Sequence, residues 1–269
     1  MLNLIRVEFF KLRKRWMPYV LLLVLLASIL IPLVVSYVNY QSEVSEFQTP
    51  MWKETLVLPN AMEGIFNSIP TLGIILVAIL AASVVGNEYG WGTLRQILAR
   101  GTSRHRYLTS KLLSIAIIVF IGVIITIAVG LIATIITSML VEGGIVWGSF
   151  IGYLIASLGR TLLVLVAYLS IATFFSVVLR SSALGIMITI AWLIGDGILG
   201  GLLGMSTGWL ADISQFTISY NTSEILALNS LHPPNYATSW WQSVGILLAY
   251  STVFIAASYY TFQRQDLTA

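Results

Sequence analysis

Two charged side chains, Arg160 and Asp196, interrupt otherwise apolar runs of this chain. A charge at the centre of a membrane span costs roughly 2.5–3.5 kcal/mol on insertion scales, so each needs a partner or a task. A carboxylate in that position can hold an ion or relay a proton, which is the chemistry of a secondary carrier. Alternatively, carboxylate and guanidinium neutralise each other. A short turn near Arg180 joins the two runs. Counted from it at about 1.5 Å per residue, Arg160 lies about 30 Å along one helix and Asp196 about 24 Å along the next. The offset is about one helical turn. An Arg side chain spans that, and its planar fork suits a carboxylate. The expectation is an intramembrane charge pair, Arg160 with Asp196.

Other chemistry is poorly provided for. The chain has no cysteine, which removes disulfides, thiol nucleophiles and thiolate metal sites. Its two histidines, His105 and His232, fall in different loops, so no His-based metal site is expected. No H-E-x-x-H and no G-x-S-G serine motif occurs, and no catalytic residue is expected. No G-x-x-x-x-G-K-[ST] is present either, so any ATP used must bind another polypeptide. Around Asp196, the pairs Gly197–Gly201 and Gly200–Gly204 fit G-x-x-x-G, a spacing that lets helices approach closely.

The elements that must position these groups are membrane helices. Residues are 58% hydrophobic and only 9% charged, against about 25% charged in a soluble domain. A bilayer core of about 30 Å needs about 20 apolar helical residues. Six runs qualify: 17–37, 69–86, 111–139, 151–179, 183–203 and 240–262. The fold class is therefore all-α, a polytopic membrane protein forming a single transmembrane domain over 1–269. With the N-terminus inside, all but Lys53 and Arg160 of the fourteen basic residues fall on the cytoplasmic side. The positive-inside rule then places both termini in the cytoplasm and residues 204–239 in an outer loop. The positive net charge has this topological cause, and no nucleic-acid partner is expected. Before the first span, Leu2, Ile5, Phe9, Leu12 and Trp16 recur at helical spacing among basic residues. Residues 1–16 thus read as an amphipathic helix lying in the lipid interface.

The loop 87–110 carries helix signals that a purely topological loop does not need. Thr93 can cap a helix with its hydroxyl, Leu94 to Arg100 supply about two turns, and Gly101 is a natural stop. Leu94, Ile97 and Leu98 share an apolar face, with Arg95 directed elsewhere. Thr102 or Ser103 can cap the helix that follows. This is a short helix lying across the end of a hairpin, with a face suited to docking on protein or lipid.

The run Glu88-Tyr-Gly-Trp-Gly92-Thr93-Leu94-Arg95, then Arg100-Gly101, Arg106-Tyr107 and Ser110-Lys111-Leu112-Leu113, resembles the cytoplasmic loop of ABC transporter permeases of the ABC-two exporter type. The order of parts matches along the whole chain: an amphipathic elbow helix, six spans, and a sizeable loop between spans five and six. The resemblance implies a permease subunit that pairs with a second permease, as homodimer or heterodimer, in a cell membrane, expected to be bacterial. Each permease would dock its coupling helix on an ATP-binding cassette subunit, and ATP and Mg would bind that partner rather than this chain. Glu88, Gly92, Thr93, Leu94, Arg95, Ile97, Leu98, Arg100 and Gly101 would form the coupling segment. Export of a drug, antimicrobial peptide, lipid or ion is implied. The alternative is a secondary carrier or channel-like protein using Asp196.

Overall fold

Inside a bilayer every backbone N–H and C=O must be satisfied within the chain, so long apolar runs fold as helices. A computed structural model describes residues 2–42, 49–99, 101, 103–141, 150–231 and 240–265. Among these residues there is no strand. The helices are α1 (Leu2–Arg13), α2 (Trp16–Gln41), α3 (Thr49–Leu56), α4 (Asn60–Gly90), α5 (Thr93–Ala99), α6 (Arg104–Leu140), α7 (Phe150–Leu179), α8 (Ser182–Gly204), α9 (Trp209–Ser214), α10 (Ile218–Ala227) and α11 (Trp240–Arg264). Six of them, α2, α4, α6, α7, α8 and α11, are long and apolar enough to cross a membrane.

Each expected span lies within one of these helices, but two helices start much earlier than hydropathy suggests. Helix α4 begins at Asn60 rather than Ile69, and α6 at Arg104 rather than Lys111. With 37 residues, α6 is about 55 Å long, well beyond a hydrocarbon core of about 30 Å. Its first turns project from the base of the bundle and help form the loop site.

Helices α4 and α7 make the centre of the bundle: 72% of the apolar window of α4 is buried, against 6% for α8. Small polar residues line this centre. Ser170 and Thr173 of α7 are buried, and each returns its hydroxyl to its own helix, on Ala167 O at 2.6 Å and Leu169 O at 2.8 Å. Satisfied in this way, they permit close helix packing without leaving a free donor. The α7–α8 hairpin turns sharply at Arg180, a non-glycine residue at φ 53°. Ser181 then starts α8 by accepting from Leu184 N.

Helix α4 approaches the start of α8 closely at Gly86. A Cβ there would collide with the backbone of Ser181 and Ser182. The G-x-x-x-G residues behave differently from expectation. Only Gly200 is packed closely, against Thr217 and Ser219, whereas Gly197, Gly201 and Gly204 have nothing within 4 Å of a Cβ position. The spacing alone does not say whether a neighbour is present within the chain.

Candidate functional site: the braced loop at the base of the bundle

Within 87–110 a short helix, α5, lies between two glycines in left-handed backbone: Gly92 at φ 65° and Gly101 at φ 83°. A side chain is disfavoured at both, which explains the glycines that start and stop the helix. Thr93 is the first residue of α5 rather than its cap. Its hydroxyl oxygen is buried and has no hydrogen-bond partner among the described residues, which corrects the expected capping role. Ser103 holds the cap position of α6 without a side-chain bond. Arg100 and Thr102, and the side chains of Arg95 and Leu98, lie outside the described residues.

The apolar face of α5 turns inward. Leu94 is 3% exposed and Ile97 packs against the same core. Those two side chains therefore anchor α5 to its own bundle, while Gln96 and the neighbouring Trp91 face outward.

Glu88 is also behind the helix rather than on its outer surface. It is 2% exposed and ion-paired with Lys111 of α6, itself 1% exposed. Lys111 Nζ reaches Glu8 Oε2 of α1 at 2.6 Å. Lys11, one turn along α1, lies 2.8 Å from Glu8 and 3.9 Å from Glu88. Two carboxylates and two ammoniums from three helices thus form a neutral, mostly buried clasp. Burial pushes the Glu8 carboxyl up, but the charges and hydrogen bonds of Lys111 and Lys11 outweigh it and hold the group below its usual range. The same contacts fix α1. Its Leu12 is buried and α1 packs along α6, so the expected apolar stripe faces the bundle over part of its length.

Further ties converge on the loop. Arg104 donates to the free carbonyls ending α11: Phe262 O at 3.1 Å, Gln263 O at 2.6 Å and Gln265 O at 2.8 Å. A cation there also complements the negative end of the helix dipole. Tyr89 donates to Gln265 Oε1, and Gln265 Nε2 donates to Val177 O of α7. The Arg15 guanidinium sits 5.0 Å over the Trp91 ring. Helix α5 thus lies between α4 and α6, whose bases are tied to α1, α7 and α11. Sequence reasoning missed Glu8 and the role of Lys111. One signal was available: Glu8 is the only acid before Glu43, set three residues ahead of a lysine.

The two charges within spans do not pair, which corrects the expectation. Arg160 donates to Leu228 O at 2.6 Å, with Asn229 Oδ1 at 3.5 Å. Asp196 accepts from Ser219 N at 2.7 Å and from Ile218 N at 3.4 Å. These are the opposite ends of α10. The carboxylate sits at the N-terminus and the guanidinium at the C-terminus, each satisfying orphan backbone groups and complementing the helix dipole. Both charges are engaged in holding one short helix against the spans.

Six helices long and apolar enough to cross a membrane, with a charge clasp joining α1, α4 and α6, define a multi-pass membrane protein. The sequence matches the family model described as ABC-2 family transporter protein over residues 2–267, and the chain belongs to that family of membrane transport proteins. No curated protein matches the sequence.

Proposed function

We propose that this chain is the permease subunit of an ATP-driven exporter, powered by a separate ATP-binding subunit that docks on the outward face of α5. The observation that carries the reading is the mechanical arrangement of the loop. Leu94 and Ile97 seat α5 on the bundle, and the Glu8–Lys11–Glu88–Lys111 clasp joins the helices on either side. A push on the Trp91–Gln96 face then moves the bases of α4 and α6 together. In this reading the base of the bundle is cytoplasmic, α1 lies at the inner lipid interface, and α9 and α10 lie at the outer side. A second permease completes the pathway, and the cargo is a drug, antimicrobial peptide, lipid or ion. The carrier alternative has lost its main support, because the Asp196 carboxylate is occupied by the N-terminus of α10.

The native chain offers no thiol, so single cysteines report cleanly. In intact cells, Ser223→Cys on the exposed face of α10 should react with a membrane-impermeant maleimide, and Gln96→Cys should not. In membranes opened to reagents, Gln96→Cys should crosslink to an ATP-binding cassette protein, and that crosslink should weaken when ATP is added. Labelling of Gln96→Cys from outside overturns the orientation. ATP-independent transport with no such crosslink overturns the coupling role.

A further inference from the structure

The early start of α4 creates a feature that hydropathy did not reveal. Asn60, Glu63, Gly64, Asn67 and Ser68 recur at helical spacing and form one polar stripe on its first turns. Across from it, Ile29, Pro32, Leu33 and Ser36 form a stripe on α2 at the same spacing. Between the two stripes lies a cavity of about 460 Å³, within the range of about 300–1,000 Å³ that takes a drug-sized molecule.

The two walls differ in character: α4 presents Asn60, Glu63, Asn67 and Ser68, and α2 presents Ile29, Pro32 and Leu33. Helix α4 places Glu63 about 37 Å from Glu88 along its axis, so the carboxylate lies beyond a hydrocarbon core of about 30 Å that begins near the clasp. Helices α2 and α4 run in opposite directions, so Ser36, Asn60 and Glu63 are at the shallow end and Ile29, Asn67 and Ser68 at the deep end. Among the described residues Glu63 has one hydrogen-bond donor. Its Oε2 accepts from Leu231 N at 3.1 Å, and Oε1 takes no hydrogen bond from the described residues. Among those residues no Lys or Arg nitrogen lies within 4.0 Å of it.

We infer that this cavity binds an amphiphile bearing a single positive charge, with its cationic centre at Glu63 and its apolar part against Ile29, Leu33 and Ile65. The Glu63 carboxylate near the mouth and the apolar side chains of α2 select that distribution of charge. A zwitterionic phospholipid fits worse, because among the described lining residues there is no basic side chain to receive its phosphate. The inference rests on the proposed permease reading for the cavity's place at the outer side and for its occupant being cargo. Its binding test uses neither ATP nor a partner subunit, so the two readings fail separately.

The test is equilibrium binding to the full chain in phosphatidylcholine nanodiscs. The probe is tetraphenylphosphonium, and tetraphenylborate serves as the counter-probe of the same shape and opposite charge. Glu63→Gln removes the charge but keeps an oxygen for Leu231 N. Gly64→Leu fills the cavity from a position where a Cβ meets nothing within 4 Å. The wild-type chain should bind the phosphonium saturably and the borate not at all. Binding should weaken at least about tenfold in Glu63→Gln, about 1.4 kcal/mol, and be lost in Gly64→Leu. Equal phosphonium binding by wild type and Glu63→Gln overturns the inference, as does saturable borate binding. If Glu63→Gln fails to fold, undiminished binding to Gly64→Leu overturns it as well.

Discussion

Removing the charge of Asp196 tests how the intramembrane charges are used. In Asp196→Ala, Ile218 N and Ser219 N lose their acceptor at the start of α10. A hydrogen bond to a charged group contributes about 1.5–3 kcal/mol, and the helix-end charge adds about 0.3–1 kcal/mol. The expected loss is therefore about 2–4 kcal/mol. Arg160→Met deprives Leu228 O of its donor and should cost about 1.5–3 kcal/mol. Helix α10 has ten residues, so its ends are about 15 Å apart. At that separation the charges interact by about 1 kcal/mol even at an effective dielectric of 20. The double variant should thus be less stable than either single one, with losses that add to within about 1 kcal/mol. Thermal unfolding in nanodiscs gives the three stabilities. Hydrogen exchange locates the change, which should concentrate in α10. A directly paired Arg160 and Asp196 gives the opposite sign: the double variant would recover much of the loss. Recovery would refute the helix-bracket account.

Two further substitutions probe the base of the bundle. Lys111→Met leaves Glu8 and Glu88 buried beside each other with only Lys11 near, and should cost about 3–5 kcal/mol in thermal unfolding. Adding Glu88→Gln to it should restore part of that stability. The same clasp predicts an acid-sensitive α1. The folded Glu8 carboxyl titrates below its ordinary value of 4.5, so its stabilisation is complete above that pH and is lost as pH falls through the lower folded value. Hydrogen exchange in α1 should therefore rise on acidification beyond the intrinsic pH effect, and Glu8→Gln should flatten that excess. Gly86→Ala puts a Cβ into the backbone of Ser181 and Ser182, and should destabilise by about 1–3 kcal/mol in the same assay. An unchanged transition would mean that α4 and α8 do not approach this closely.

The spans were legible because hydropathy and length suffice for them, and the loop was legible because Gly92 and Gly101 must take left-handed backbone. Side-chain partners were not, since they depend on three-dimensional placement. Arg160 and Asp196 are at similar depth along adjacent helices, as counted, yet depth leaves azimuth undetermined. The intervening helix α10 competes for both charges, and nothing in the spacing of spans four and five announces it. Leu94 and Ile97 were correctly grouped on one apolar face, but periodicity cannot say whether the face meets a partner or the chain itself. Burial decides that they meet the chain itself. The polar turns Asn60–Ser68 were missed for a related reason. A hydropathy window sees a loop there, whereas spacing of i, i+3, i+4 and i+7 shows a helix with one polar side.

The placement of charge follows one rule at both ends of this bundle. At the base, Arg104 satisfies the last carbonyls of α11, and the clasp neutralises its own four charges. At the far end, Asp196 and Arg160 satisfy the first amides and last carbonyls of α10. Arg104, Asp196 and Arg160 are each held against backbone groups that no neighbouring residue of the same helix can satisfy, and the clasp charges are held against one another. Such charges are poor candidates for ion transfer, because releasing one leaves an orphaned helix end. Glu63 differs: among the described residues it has no basic partner within 4.0 Å, its hydrogen bond comes from Leu231 N rather than a helix end, and it lines a cavity. That contrast, rather than the presence of acid alone, separates a carboxylate free to meet a ligand from one already committed to the fold.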